Sequence, residues 1–301
     1  MDLEQKKKAL RERDRSVRAL TKDGKFRIIS IRNTSTAKTA QKRHNLSLIP
    51  AVFLAKTMGA AMMMASLLKG EERIIIDIEG DGSLQKIFAE AIQTGEIRGF
   101  ARYTNEVNLS LPSSSDYLGE GTLRVTKIMY DRPEPITSII PLQKTDIQTD
   151  IAGFFSRSEQ IPTAVILDVD FNENGFITES AGFLVQAMPG ATISEINAIM
   201  NDLKSYQKLT KLYEEATRPE EIIAKIINKE FDVLRVIPVD FFCRCSKDGF
   251  LDKLLTLSYE EIKDMKEMKQ NELICQYCNA KYYIDEEDFD KLLIEKKAVS
   301  N

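Results

Sequence analysis

Histidine is nearly missing from this chain. Of 301 residues only His44 is a histidine, set in the basic run Lys42-Arg43-His44. Serine–histidine, cysteine–histidine and histidine–metal chemistry would all have to run through that one imidazole. Its neighbours suit a surface loop or a helix end instead, so an enzyme is disfavoured. Net charge is small too, −4 at neutral pH, and does not by itself argue for a polyanion or a membrane partner. No apolar segment of the secretory type opens the sequence. The basic opening, residues 1–15, carries Asp2, Glu4, Glu12 and Asp14, whereas organellar transit peptides are poor in acids. These residues read as a charged extension. Mixed charge signs and the lack of an aromatic to stack on a base make them a poor nucleic-acid arm.

An uninterrupted membrane-length apolar run is also lacking. The closest stretch, Leu46 to Leu68, is broken by Pro50 and Lys56 and is rich in small residues and methionine. A spanning helix needs about 20 mostly apolar residues without a central charge, so a buried core helix over 50–68 is expected, with Met62, Met63 and Met64 as core filler. With no signal and no span, a reducing cytoplasm is the expected compartment. The glycine-rich pieces Glu79-Gly80-Asp81-Gly82 and Leu118-Gly119-Glu120-Gly121 lack the lysine and spacing of a phosphate loop and the pattern of a dinucleotide turn. They read as turns, and ATP is not implied.

What is present is an α+β pattern. Asp23-Gly24 reads as a turn into a first strand through Phe26, Ile28 and Ile29. Strands follow at 73–78, 95–102, 122–130, 136–142, 162–170 and 176–188. Residues 83–92 read as a helix, because Leu84, Ile87, Phe88 and Ala91 share one helical face. A second amphipathic helix covers 146–157. Pro189-Gly190 closes a mixed α/β domain over 16–190.

Composition then changes. Thr192 and Glu195 have the spacing of a capping box, and apolar residues recur at three and four through Ile196, Ile199, Leu203, Leu209 and Tyr213. A second helix starts around Thr217-Arg218-Pro219 and carries Ile222, Ile223, Ile226 and Ile227. Helices of this length are marginal alone in water and must dock their apolar stripes. The segment 191–237 is expected to be a helical linker, either permanently packed or released in some state. Periodicity does not choose between the two.

The remainder, 238–301, is built around the four cysteines of the chain: Cys243 and Cys245 as C-R-C, then Cys275 and Cys278 as C-Q-Y-C, with 29 residues between the pairs. Two short-spaced thiolate pairs are what a tetrahedral zinc site requires. Four cysteines close such a site, whereas catalytic zinc keeps an open position. Permanent disulfides would need export. A nucleic-acid zinc ribbon is disfavoured: residues 246–274 set five lysines against seven acids, and Asp285–Asp288 is acidic. Zinc thiolates stay nucleophilic, and each close pair can close on itself, which would remove all four ligands. Metal loss coupled to marginal helices upstream would make a switch.

The chain resembles the redox-regulated chaperone family called heat shock protein thirty-three. The resemblance runs from Val17 onward through V-R-A-L-T-K-D-G-K-F-R (17–27), L-L-K-G-E-E-R (67–73), E-G-D-G-S-L (79–84), I-R-G-F (97–100), S-E-Q-I-P-T-A-V (158–165), A-G-F-L-V-Q-A-M-P-G (181–190), C-R-C and C-Q-Y-C-N-A-K-Y (275–282). It implies one zinc ion on Cys243, Cys245, Cys275 and Cys278 in a reduced, inactive protein. It also implies disulfides within each pair on oxidation, Cys275 and Cys278 first, then zinc release, linker unfolding and homodimerisation. The active form would hold unfolding client proteins without ATP, as a stress response. Gln85 stands where the family usually has glycine, and Ser180-Ala181-Gly182 is a variant of its usual A-G-G. The alternatives are a constitutive zinc-stapled protein-binding module, for which oxidation would only destroy function, and a thiol oxidoreductase, which would turn over disulfides with a reductant.

Overall fold

The computed structural model describes residues 13–104, 115–143, 146–206, 208–213 and 218–299, and it divides into two units, Met1–Phe242 and Cys243–Asn301. The first unit starts with a hairpin. Strand β1 (Arg15–Thr21) turns at Gly24, whose φ of 72° is left-handed, into β2 (Phe26–Arg32). The strand expected first is thus second, because Val17 and Ala19 alternate inward as strictly as Ile28. Of the expected extension, residues 1–12 lie outside the described residues, while Asp14 is buried and Arg15 opens β1. Asp14 supplies an end cap from outside the helix it caps. Its carboxylate accepts the Ser35 and Thr36 N–H groups (3.1 and 2.7 Å), orphan donors in the first turn of α1 (Thr34–Arg43). His44 is the C-cap of that helix.

Helix α2 (Leu48–Ala65) is apolar on every side and 78% buried. By length and composition it could cross a membrane, but it lies between two sheets, where a helix apolar all round belongs. On one side is an antiparallel sheet ordered β10 (Phe231–Pro238), β1, β2, β9 (Ile177–Ala187), β8 (Thr163–Phe171). On the other is a sheet ordered β11-β5-β4-β3-β6-β7, antiparallel except where β11 (Asp240–Phe241) meets β5. Its strands are β3 (Arg73–Gly80), β4 (Leu84–Ile92), β5 (Glu96–Tyr103), β6 (Gly121–Ile128) and β7 (Ile136–Pro141), with a short α3 (Ser115–Leu118) before β6. Strand β4 corrects the helix expected over 83–92. A register shift between Leu84 and Lys86 puts two apolar residues three apart on one face of a strand, imitating helical spacing. Gln85 is the residue at that shift. It has no left-handed φ, so a glycine is not required there.

Helix α4 (Ile147–Phe154), capped by Asp146, runs into a π-helical turn, Phe155–Glu159, before β8 (Thr163–Phe171) and β9 (Ile177–Ala187). Gly182 on β9 is closely packed: a Cβ there would lie 2.9 Å from Ile31 and 3.0 Å from Met63, and those side chains would have to shift.

The five-stranded sheet is apolar on both faces. Ile29, Ile31 and Leu184 face α2, and Val17, Ala19, Phe26, Ile28, Phe183 and Val185 face away. That outer face is covered by the expected linker: α5 (Ile193–Lys204), a 3-10 turn (Leu209–Tyr213) and α6 (Pro219–Ile226). The capping box of Thr192 and Glu195 is present. The helix expected to continue to Tyr213 stops at Lys204, and Thr217 lies outside the described residues. Nor is the segment helical to its end: β10 (Phe231–Pro238) pairs antiparallel with β1, and just after it β11 (Asp240–Phe241) pairs parallel with β5. The linker therefore returns as two strands of the sheets, and the second unit starts at Cys243, not at 238.

That second unit contains α7 (Lys247–Leu254), α8 (Tyr259–Glu267), a hairpin of β12 (Glu272–Ile274) and β13 (Lys281–Tyr283), and α9 (Glu286–Val299). Its buried apolar core, among the described residues, is Ile262, Ile284, Phe289 and Leu292, a thin one for a unit of this size.

Candidate metal centre

The β12–β13 hairpin shapes half of the site. Its two strands lead into and out of Cys275–Ala280, where the Cys275 N–H donates to the Ala280 carbonyl (2.9 Å) and the Asn279 N–H to the Cys275 carbonyl (2.7 Å). Asn279 takes the left-handed conformation, φ 56°, that reverses the chain. In this tight turn the backbone N–H groups of Tyr277 and Cys278 serve the Cys275 sulfur, and that of Ala280 serves the Cys278 sulfur. The other half, Cys243 and Cys245, lies on irregular chain before α7.

All four sulfurs lie within 4.8 Å of one another. Cys243 Sγ is 3.8 Å from Cys275 Sγ, and Cys245 Sγ is 3.4 Å from Cys278 Sγ. Four ligands at a zinc–sulfur distance of about 2.3 Å stand about 3.8 Å apart in a tetrahedron, so the spacing fits an ion of that size. None of the four is in a disulfide, and the C-x-x-C pair is the more buried. The sequence brought forward these four residues, and the fold brings all four together.

Burial pushes the Cys275 and Cys278 thiols up, Cys278 strongly. Burial opposes the Cys245 thiolate too, but Tyr282 Oη at 3.2 Å and the neighbouring sulfurs outweigh it, and its pKa is lowered. The hydrogen bond to Cys245, with burial, pushes Tyr282 up to about 12. Four sulfurs this close cannot all ionise on their own, because like charges in one site oppose each other. A bound cation inverts that logic and takes all four as thiolates. The cysteines are positioned to bind a metal ion.

Tyr282 escaped the reading from spacing. It is the second residue of β13, and its hydroxyl also donates to the Cys245 carbonyl (3.0 Å), tying the C-x-C half to the hairpin. The acidic run at 285–288 has local work. Asp285 and Asp288 cap α9 reciprocally, and Lys247 pairs with both.

The profile of the family described as "Hsp33 protein" matches residues 14–285. The chain belongs to the Hsp33 family. It is 32% identical to the 33 kDa chaperonin of Bacillus velezensis, over 93% of this chain and 98% of that one. It is 33% identical to the 33 kDa chaperonin of Acetivibrio thermocellus, over 93% and 97%. The crystal structure of the Thermotoga maritima 33 kDa chaperonin, a heat shock protein 33 homologue, superposes with a TM-score of 0.86 at 25% identity, covering 96% of this chain and 100% of that one. This is a chaperone family, and the α+β architecture is the family's own.

Proposed function

We propose that this chain is an ATP-independent holdase, inactive while reduced and zinc-bound, that oxidation switches on to bind unfolding proteins. The observation that carries the reading is the covered sheet. Ile199, Leu203, Leu209, Tyr213, Ile222, Ile223 and Ile226 are buried against the outer apolar face of the five-stranded sheet. Release of that segment would expose two complementary apolar surfaces, the kind of patch that binds another chain.

Zinc held by Cys243, Cys245, Cys275 and Cys278 supplies a cross-link worth about 10–16 kcal/mol in small zinc peptides, comparable to the stability of a whole domain. Without it the second unit has only its thin core. Oxidation acts on the cysteines themselves. In each pair, two thiolates pass two electrons to a peroxide, a sulfur–sulfur bond forms, the oxygen–oxygen bond breaks, and two protons complete two waters. Four thiolate ligands are thereby consumed. The second unit then unfolds, and β10 and β11, the strands that lead into Cys243, lose their anchor. Pairing within each motif rests on the family resemblance. The sulfur geometry suits the crossed pairs Cys243–Cys275 and Cys245–Cys278 as well, and peptide mapping under non-reducing conditions separates the two patterns.

The oxidised form is a homodimer in this reading, and the chain works in a reducing cytoplasm, where its thiols stay reduced until stress. The test is to treat the zinc-loaded chain with peroxide at mild heat, following chelatable zinc, free thiols and light scattering of a denatured client. Holdase activity should appear as zinc leaves. If four thiols oxidise and zinc is released while client aggregation is unchanged, the reading fails. If the reduced protein protects the client and oxidation abolishes protection, the chain is a constitutive zinc-stapled binding module.

A further inference from the structure

The linker is not held to the sheet by apolar contact alone. The segment Lys208–Tyr213 sits in a seat with charged walls at the β8–β9 end of the sheet. Asp168 Oδ2 accepts both the Thr210 N–H (3.0 Å) and the Thr210 hydroxyl (2.7 Å), and Asp170 Oδ2 lies 3.0 Å from the same hydroxyl. Asp170 also faces Lys208 Nζ at 3.7 Å and Lys211 Nζ at 4.0 Å. Between these polar contacts Leu209 and Tyr213 are 0% and 2% exposed. At the far end the Tyr213 ring lies under the Arg32 guanidinium, which Glu179 holds in a two-point ion pair. A seat of this kind recognises an extended or 3-10 segment by a pattern: lysine, aliphatic, a small hydroxyl, lysine, a second aliphatic, then an aromatic.

We propose that Lys208–Tyr213 is an internal stand-in for client. Once vacated, the seat formed by Asp168, Asp170, Ile166, Phe183 and Arg32 takes lysine-flanked apolar segments ending in an aromatic, in preference to acidic ones. The inference rests on the oxidation-released linker proposed above and names the class of segment that replaces it. Arg32 and Glu179 offset each other in their ion pair, so Asp168 and Asp170 give the site its sign. Opposite charges steer and select at such a rim even where each pair adds little affinity.

The probe is a fluorescent peptide with the sequence of residues 205–213, S-Y-Q-K-L-T-K-L-Y, beside versions in which both lysines are glutamate or glutamine. Anisotropy is measured with the full chain, oxidised and zinc-released, and with the reduced chain, in which the internal segment competes. The oxidised chain should bind the lysine peptide more tightly than the reduced chain does. It should also prefer lysine to glutamate by about fivefold or more at low salt, a preference that fades as salt is raised. An Asp168→Asn, Asp170→Asn double variant should lose the lysine preference while still binding the glutamine peptide, which shows that its seat is intact. Equal affinity for the lysine and glutamate peptides overturns the proposal, as does a double variant that keeps the preference. If oxidised chain suppresses client aggregation but shows no charge preference, this inference alone fails. If it neither binds peptide nor protects client, the proposed function fails with it.

Discussion

Arg32 lies over the ring of Tyr213, with 5.6 Å from the guanidinium carbon to the ring centroid, and thereby joins a strand of the core sheet to the 3-10 turn of the linker. The Tyr213 hydroxyl is 3.4 Å from Ser30 Oγ. One side chain thus fills an apolar seat, stacks on a buried ion pair and places a polar atom within reach of the sheet.

Tyr213→Ala should therefore release the linker without oxidant. Truncating a buried aromatic costs about 3–5 kcal/mol, a large fraction of what holds a marginal segment. Amide exchange of 193–226 should accelerate in the reduced, zinc-loaded variant, while the Cys275–Ala280 turn stays protected. Tyr213→Phe keeps the ring and should cost only about 1 kcal/mol. Equal protection of 193–226 in wild type and Tyr213→Ala would show that the tyrosine is not the pin.

Removing one metal ligand should unfold the second unit and leave the first folded. Cys278→Ser, or a strong chelator acting on the reduced chain, should abolish stoichiometric zinc. It should also open 243–299 to proteolysis while 15–190 resists. A second unit that stays protease-resistant without metal would mean that its four-residue core suffices.

Burial raises the Asp14 carboxyl from 3.8 to about 6, despite the hydrogen bonds it accepts from Thr36 and Ser35. Between those values the folded chain keeps a proton that the unfolded chain has lost. The contribution of Asp14 to stability therefore falls as pH rises from about 4 to about 6, by roughly 3 kcal/mol at most. Asp150 is raised to about 6 by burial as well, so the wild-type slope alone does not isolate Asp14. The difference in unfolding free energy between wild type and Asp14→Asn does. It should change across pH 4–6 and level off above, and a difference that is constant from pH 4 to 7 would refute the assignment.

Gly95 has φ +106°, and a Cβ there would stand 1.9 Å from the Pro238 carbonyl oxygen. Its own carbonyl accepts the Asp240 N–H (3.0 Å). Gly95→Ala should push β10 and β11 off the sheets where the linker re-enters them, at a cost of at least about 2 kcal/mol. Faster zinc release under peroxide should accompany a lower Tm. A variant with wild-type Tm and release kinetics would show that this junction yields cheaply.

The sequence reading and the structure part company where two spacings coincide. Leu84 and Ile87 satisfy helical spacing and also a bulged strand, and only pairing of β4 with β3 and β5 decided for the strand. Nothing local marks the start of helix α1, because the carboxylate that caps it, Asp14, comes from residues that look like a charged tail. The Asp168 and Asp170 seat carried no signal, since a solvent-facing strand residue and a linker-facing one look alike until the linker is in place.

The sequence alone determined the grouping of the four cysteines, an apolar core helix within 46–68 and amphipathic helices after Thr192, because each depends on local spacing: two short thiolate pairs, a mostly apolar stretch rich in small residues, and three-and-four periodicity opened by a capping box. Tertiary structure alone decided what those elements face. Which side of the five-stranded sheet meets α2, which side the linker covers, and where Tyr213 finds Arg32 all follow from strand register. A shift of one residue exchanges the two faces, and no local pattern records the choice on a sheet that is apolar on both.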